Sequence, residues 1–121
     1  MCLDVFTPML RTMRVKKDNM MRAAQEGFIN ATDLADYLVK KGMPFRTAYK
    51  IVGRLVAKCI QDGTVLETVP LEEYKEISPL FEADVYDEIN LVTCVEKRTS
   101  YGGTGRASVL DQIAYVRGKA Q

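Results

Sequence analysis

The sequence predicts an all-α fold, a small multi-helix domain built around helical hairpins. Apolar residues recur at steps of three and four along most of the chain, which is the spacing of one helix face. Residues that start and stop helices separate these segments. Only residues 91–98 would tolerate an extended conformation, and an isolated strand has nothing to pair with. A chain of 121 residues without repeats or a linker favours one domain over residues 1–121.

The first two helices are expected over residues 3–13 and 18–25. In residues 3–13, Val5, Met9 and Met13 share one face, but no capping residue precedes the segment. An uncapped start is typical of the end of a longer helix. We therefore expect this face to be partly exposed or to self-associate.

A helical hairpin is expected over residues 31–41 and 44–61. Asn30 is a candidate cap for its first helix, with Asp33 three residues later in the capping-box position. Gly42 suits the left-handed residue that ends a helix. The second helix carries an apolar stripe, predicted to face the core, formed by Phe45, Ala48, Tyr49, Val52, Leu55, Val56 and Cys59.

The second half of the chain predicts shorter helices. They are expected over residues 70–77, 80–90, 91–98 and 105–118. Ser78, Asn90 and Thr104 stand where side-chain caps are preferred. The segment between the last two helices is rich in glycine and is expected to be a loop that lets the last helix fold back.

The formal net charge is +1, whereas dedicated nucleic-acid binding domains are usually basic. This even total hides an asymmetry. Residues 1–60 hold eleven Lys/Arg against five Asp/Glu, and residues 61–121 hold six against eleven. The two halves could attract each other in one fold, or a basic face could meet a partner. Solvated helix faces are preferred over a special partner.

The chain contains no histidine, which excludes the commonest general acid–base and the commonest metal ligand. Its three cysteines, Cys2, Cys59 and Cys94, form no CxxC motif. We expect reduced thiols in a cytoplasmic protein, with Cys59 buried. The N-terminus lacks the basic region of a signal peptide, and no apolar run is long enough to span a membrane.

The hairpin also resembles a helix-turn-helix, with Arg46, Thr47 and Lys50 exposed on its second helix. Two residues disfavour DNA binding. Leu38 stands where a small residue lets the helices approach, and Lys41 stands where an apolar residue is usual. A structural hairpin is therefore preferred.

Two further motifs are candidate sites. The Gly102–Gly105 loop precedes a helix and could bind an anion, but it has neither the strand of a dinucleotide site nor the Lys-Ser/Thr of a P-loop. Glu82, Asp84, Asp87 and Glu88 form an acidic run. Such a run can serve acid–base chemistry or hold Mg²⁺, although a solvated helix face is the preferred interpretation.

The exact residues of three segments are more informative than the periodicity of their apolar positions. NATDLADYLVKKGMPFRTAYKIVG (30–53), PLEEYKEISPLFEADVYDEI (70–89) and SYGGTGRASVLDQI (100–113) closely resemble the C-terminal domain of argininosuccinate lyase. The resemblance begins at TPMLRTM (7–13) and covers essentially the whole chain. It implies an enzyme of the aspartase/fumarase superfamily, a homotetramer that splits argininosuccinate into arginine and fumarate in arginine biosynthesis.

The same resemblance implies that the chemistry lies elsewhere. The family's Ser-Ser-x-Met-Pro-Gln-Lys loop and Thr-x-x-His segment are absent from this sequence, so no catalytic, cofactor-binding or metal-binding residue is assigned. Residues 1–13 correspond to the end of a helix from the central domain. The expected role is structural and conformational, with the remainder of the lyase chain as partner. A free-standing interaction or regulatory module, and less favourably a nucleic-acid binder, remain open.

Overall fold

The fold is all-α, as the sequence predicts. A computed structural model describes residues 2–119, in which eight α-helices and no strand are present. The helices are α1 (Cys2–Thr12), α2 (Lys17–Glu26), α3 (Ala31–Lys40), α4 (Phe45–Asp62), α5 (Leu71–Ile77), α6 (Val85–Ile89), α7 (Leu91–Glu96) and α8 (Arg106–Lys119). A single 3₁₀ turn, Leu66–Thr68, lies between α4 and α5.

The centre of the molecule is the predicted hairpin of α3 and α4. Gly42 joins the two helices with a φ of 95°, a left-handed conformation that glycine adopts at little cost. The α3–α4 pair packs on the 3₁₀ turn and α6. The fully buried side chains of this core include Leu34, Leu38, Leu55, Leu66, Tyr74, Phe81, Val85 and Ile89.

The apolar stripe of α4 is only partly buried. Its members Ala48, Val52, Leu55 and Cys59 are buried as predicted, and Ile51 joins them. Periodicity places Phe45 and Tyr49 in the core, which is wrong, because they are 54% and 67% exposed. The apolar arc of α4 is wider than the surface that α3 and the 3₁₀ turn cover.

The predicted helix over residues 80–90 is shorter in the structure, where α6 begins only at Val85. Tertiary contacts replace its first turn. Phe81 is fully buried and packs on the rings of Tyr37 and Tyr74, with centroids 5.9 and 4.9 Å away. The backbone N–H of Glu82 donates to the Tyr37 hydroxyl at 3.1 Å. These contacts hold the segment off helical geometry.

Among the helices of residues 2–119, α1, α2 and α8 contribute no buried side chain. Val5, Met9 and Met13 are 59–64% exposed, which confirms the expected exposure of that face. The prediction that α8 folds back is not met, because α8 contacts the loop before it and buries no residue in the core. No helix in this part of the chain combines the length and apolarity that crossing a membrane requires.

Candidate functional site

The two halves of the chain attract each other through side-chain ion pairs, which is one of the alternatives that the charge asymmetry leaves open. Lys40 and Lys41 at the end of α3 pair with Glu88, Glu82 and Asp84 around α6. On α4, Lys58 pairs with Glu73 of α5. Lys58 thus links α4, in the basic half of the chain, to the acidic half by an ion pair.

Asn30 forms a buried polar link and does not cap α3, contrary to the prediction. No cap hydrogen bond is made by its side chain. Its Nδ2 donates to the Ile89 carbonyl at 2.8 Å and to Glu67 Oε1 at 3.0 Å. Asn30 is 1% exposed. Asn30 Oδ1 and Glu67 Oε2 are buried without a hydrogen-bond partner among the described residues.

Tyr37 lies at the centre of a second polar cluster. Its hydroxyl donates to Asp84 Oδ1 and accepts from the Glu82 N–H, while Lys41 Nζ lies 4.8 Å from its ring centre. Burial, followed by the hydrogen bond to Asp84, raises the pKa of Tyr37. The same hydrogen bond lowers the pKa of Asp84. Tyr37 is therefore a protonated donor near neutral pH, and this arrangement is unsuited to a general base.

Three members of the acidic run, Glu82, Asp84 and Glu88, belong to two ion-pair groups. Glu82 and Asp84 pair with Lys41, and the hydrogen bond to Glu82 raises the pKa of that lysine. Glu88 accepts from Lys97 at 2.6 Å and from Lys40 at 3.2 Å. Its pKa is lowered first by the hydrogen bond from Lys97.

The run is thus partly solvated, as expected, but the sequence did not reveal that it links α6 to α3. Within residues 2–119, no group of three or more His, Cys, Asp or Glu residues is placed to hold a metal ion. The lysines that pair with Glu82, Asp84 and Glu88 offset part of the negative charge that a metal ion would need.

Arg98 ties the C-terminal loop to the start of α3. Its NH1 and NH2 donate to the two oxygens of Asp33, each at 3.1 Å, which is the bidentate geometry that guanidinium and carboxylate favour. NH1 also donates to the Cys94 carbonyl at 2.7 Å. The Asp33 carboxylate therefore accepts hydrogen bonds from Arg98 in place of the predicted capping box.

The glycine loop packs on the Arg98 backbone, and two of its N–H groups are used within the fold. Gly103 N donates to the Ser100 carbonyl at 2.7 Å, and Gly105 N donates to the Arg98 carbonyl at 3.0 Å. A Cβ at Gly103 would lie 2.2 Å from that carbonyl oxygen. A neighbouring cavity of about 310 Å³ contains the carboxylate of Asp111, which disfavours anions.

The caps of the last two helices differ from each other. Asn90 Oδ1 accepts from the N–H groups of Val92 and Thr93, which confirms it as the cap of α7 and confirms a helix there. At the start of α8, the side chain of Glu96 takes the capping role predicted for Thr104. Glu96 Oε2 accepts from the Arg106 N–H at 3.2 Å.

Arg46, Thr47 and Lys50 are exposed on α4, as the helix-turn-helix interpretation requires. The two residues that disfavour this interpretation have structural roles. Leu38 is fully buried, and Lys41 is held by the acidic segment before α6. The hairpin is therefore packed as a structural element of this core.

The cysteines are free thiols. Burial raises the pKa of Cys59, and it raises the pKa of Cys94 to about 11. Neither is a nucleophile at neutral pH, since the thiolate is the reactive form. Cys2 is exposed.

Sequence reasoning missed the polar links of Asn30, Tyr37 and Arg98. Their partners lie 37 to 65 residues away along the chain. Helical periodicity reports only neighbours three or four residues apart, so it carried no signal for them. What these links can do chemically is to hold helices in fixed relative positions.

Comparison with known proteins gives one consistent result. The family model described as "Argininosuccinate lyase C-terminal" matches residues 28–96. Proteins named argininosuccinate lyase are similar over nearly the whole chain. That of Acetivibrio thermocellus is 53% identical over 113 residues, and that of Clostridium botulinum strain Alaska E43 is 57% identical over 111. That of Geobacillus thermodenitrificans is 53% identical over 115.

These alignments cover 92–95% of this chain but only 24–25% of each relative. The chain thus spans about a quarter of the length of the curated relatives it matches.

Proposed function

The chain belongs to the argininosuccinate lyase family, and from that premise we propose that it acts as a structural and conformational domain of such a lyase. The observation that carries the proposal is the match of residues 28–96 to the C-terminal part of the family. The complete enzyme would split argininosuccinate into arginine and fumarate. This chain would position the parts that carry out the elimination.

Side-chain chemistry in this chain supports a role without catalysis. The buried tyrosine Tyr37 and the buried thiols of Cys59 and Cys94 have raised pKa values, so they stay protonated near neutral pH. Lys40, Lys41 and Lys58 are held in ion pairs. We therefore assign no catalytic, cofactor-binding or metal-binding residue to this chain.

The remainder of a lyase chain is the proposed partner, in a homotetramer located in the cytoplasm. Relatives are about four times as long as this chain, which leaves ample partner surface. The exposed apolar residues of α1 and of the α2–α7 groove fit such a contact. They include Leu3, Phe6, Met9 and Leu10 on α1, and Met20, Met21, Val92 and Val95 in the groove. We propose that residues 1–13 continue a helix of the central domain.

An assay of the purified chain tests the lack of independent catalysis. Argininosuccinate is incubated with the chain, and fumarate is measured by its ultraviolet absorbance. The expected rate equals that of a blank without protein, with the intact lyase of Geobacillus thermodenitrificans as positive control. Fumarate release above that of the blank would refute the proposal if the activity copurifies with the chain.

A further inference from the structure

An apolar groove on the outer side of the hairpin is separate from the α1 and α2–α7 surfaces. It lies between α3 and α4 and has a volume of about 440 Å³. Ala31 and Ala35 line it from α3, and Tyr49 and Val52 line it from α4. Phe45 and Tyr49 contact each other, with ring centres 6.1 Å apart. Both are more than half exposed, although sequence periodicity assigned them to the core.

A row of cations on α4 begins beside this groove. Arg46, Lys50, Arg54 and Lys58 follow at steps of four along α4. At about 100° per residue they form one ridge that turns by about 40° at each step. Arg46 and Lys50 therefore lie beside the strip that carries Phe45 and Tyr49, whereas Arg54 and Lys58 turn away from it. Lys58 is neutralised by Glu73. The other three are exposed and make no ion pair with any described residue.

Gly53 lies between the groove and the ridge, in the middle of α4. Glycine there costs about 1 kcal/mol relative to alanine, so a structural reason is expected. The fold supplies none, because a Cβ at Gly53 would meet nothing within 4 Å. Gly53 instead leaves open space at the groove wall, where a partner's backbone can approach closely.

We propose that this groove binds an amphipathic helix of a partner protein whose apolar side chains enter the groove and whose acidic side chains face Arg46 and Lys50. Apolar grooves rimmed by charge, with exposed aromatic and arginine side chains, are typical helix-binding surfaces. The unpaired ridge sets the sign of the partner's charge.

A second copy of this chain fits the groove poorly. The helices that expose large apolar side chains outside the hairpin are α1, α2, α7 and α8. Of these, α7 is only six residues long and buries Leu91 and Cys94. Acidic and basic side chains balance in α1 and α2, and basic ones predominate in α8. The acidic helices α5 and α6 direct their apolar residues Tyr74, Val85 and Ile89 into the core.

The test measures fluorescence anisotropy of a labelled helical peptide of about 18 residues, roughly 27 Å long, added to the full chain. In this peptide, leucine is placed at every third or fourth position to form one helix face, and glutamate lies on both sides of that face. Binding is expected, and it should weaken as salt screens the charges. The double variant Arg46→Glu with Lys50→Glu should weaken binding about tenfold or more. Its matched control is Lys75→Glu with Arg117→Glu, which should bind like the original chain.

The groove itself is tested by Gly53→Leu, which should fill the open space and weaken binding about tenfold. Gly118→Leu is the matched control, since Gly118 is also a helical glycine at which an added Cβ would meet nothing within 4 Å. Circular dichroism checks that each variant is folded.

Four outcomes would overturn the proposal. They are no binding of the acidic peptide, equal binding of a peptide with lysine in place of glutamate, binding that neither set of variants affects, and tighter ridge-dependent binding to a DNA duplex or to anionic vesicles. The measurement needs no lyase activity, so it is independent of the function proposed above.

Discussion

At the residue scale, buried polar side chains hold this small helical core in register. Asn30 connects α3 to the 3₁₀ turn and to the end of α6. Tyr37 connects α3 to the segment before α6. A polar group in such a position contributes modestly when paired, but removal of its partner leaves a costly unsatisfied group. These residues therefore specify how the helices are placed.

Replacement of Asn30 tests this role. Asn30→Ala removes both donated hydrogen bonds and leaves the Ile89 carbonyl and Glu67 Oε1 without their donor. We expect the free energy of unfolding to fall by about 2 kcal/mol, measured by urea denaturation. Asn19→Ala, at an exposed position of α2, should change it by less than about 0.5 kcal/mol. An equal effect of the two substitutions would contradict the buried link.

Thiol reactivity tests the burial of two cysteines. Burial raises the pKa of Cys59 and raises that of Cys94 to about 11, so at pH near 8 both remain protonated thiols. An aromatic disulfide reagent should react rapidly with Cys2 alone in the folded chain, and with all three thiols in denaturant. Cys2→Ser should abolish the rapid phase. Rapid reaction of either remaining thiol in the folded Cys2→Ser variant would contradict the burial of Cys59 and Cys94.

At the element scale, the sequence predicted helix positions well because apolar spacing and capping residues are local signals. Seven of the helices in residues 2–119 and the α7 cap Asn90 lie close to their predicted positions, and α6 was predicted with a wrong start. The error came from Phe81, whose burial against Tyr37 and Tyr74 is decided by the tertiary fold. Asn30 was assigned to a cap because sequence alone cannot show the distant Glu67 and Ile89.

Candidate sites were less predictable for the same reason. The exposed positions of Arg46 and Lys50 followed from helix geometry. Helix geometry could not predict that these two side chains lack ion-pair partners among the described residues, because this depends on where the acidic half of the chain lies. The exposure of Phe45 and Tyr49 could not be predicted from the sequence either, because the width of an apolar arc does not show which part of it a neighbouring element covers.

Two glycines of opposite character test the packing of these elements. Gly53→Ala adds a Cβ in open space within a helix, so it should raise the free energy of unfolding by about 0.5–1 kcal/mol. Gly103→Ala would place a Cβ 2.2 Å from the Arg98 carbonyl oxygen and should destabilise by about 2 kcal/mol. Thermal and urea unfolding of the two variants measure both. Effects of the same sign would be inconsistent with the loop packing described.

At the scale of the whole molecule, ion pairs join a basic first half to an acidic second half. The pKa values of Asp84 and Glu88 are lowered in the folded chain. A lowered carboxyl pKa stabilises the fold above the unfolded-state value, near about 4, and this contribution is lost as pH falls through the folded-state value. The junction of the two halves should therefore weaken in acid.

Urea unfolding at neutral and acidic pH tests that junction. Glu88→Gln should lower stability near pH 7 by less than about 1 kcal/mol, since its side chain is partly exposed. The difference from the original chain should shrink as the pH falls below about 4 and Glu88 becomes protonated. Asp87→Asn serves as control, because Asp87 makes no ion pair with a described residue. A Glu88→Gln effect that is independent of pH would contradict the assignment.

The whole-molecule proposal is that this chain supports an argininosuccinate lyase from its C-terminal end without catalysing the reaction. A chimera in which this chain replaces the matching quarter of the Acetivibrio thermocellus lyase tests it directly. Fumarate release is measured for the chimera, for the parent lyase cut before that quarter, and for this chain alone. We expect chimera activity within about tenfold of the parent, and none from this chain alone. Fumarate release by this chain alone, or a chimera that folds and assembles like its parent yet is inactive, would contradict the proposal.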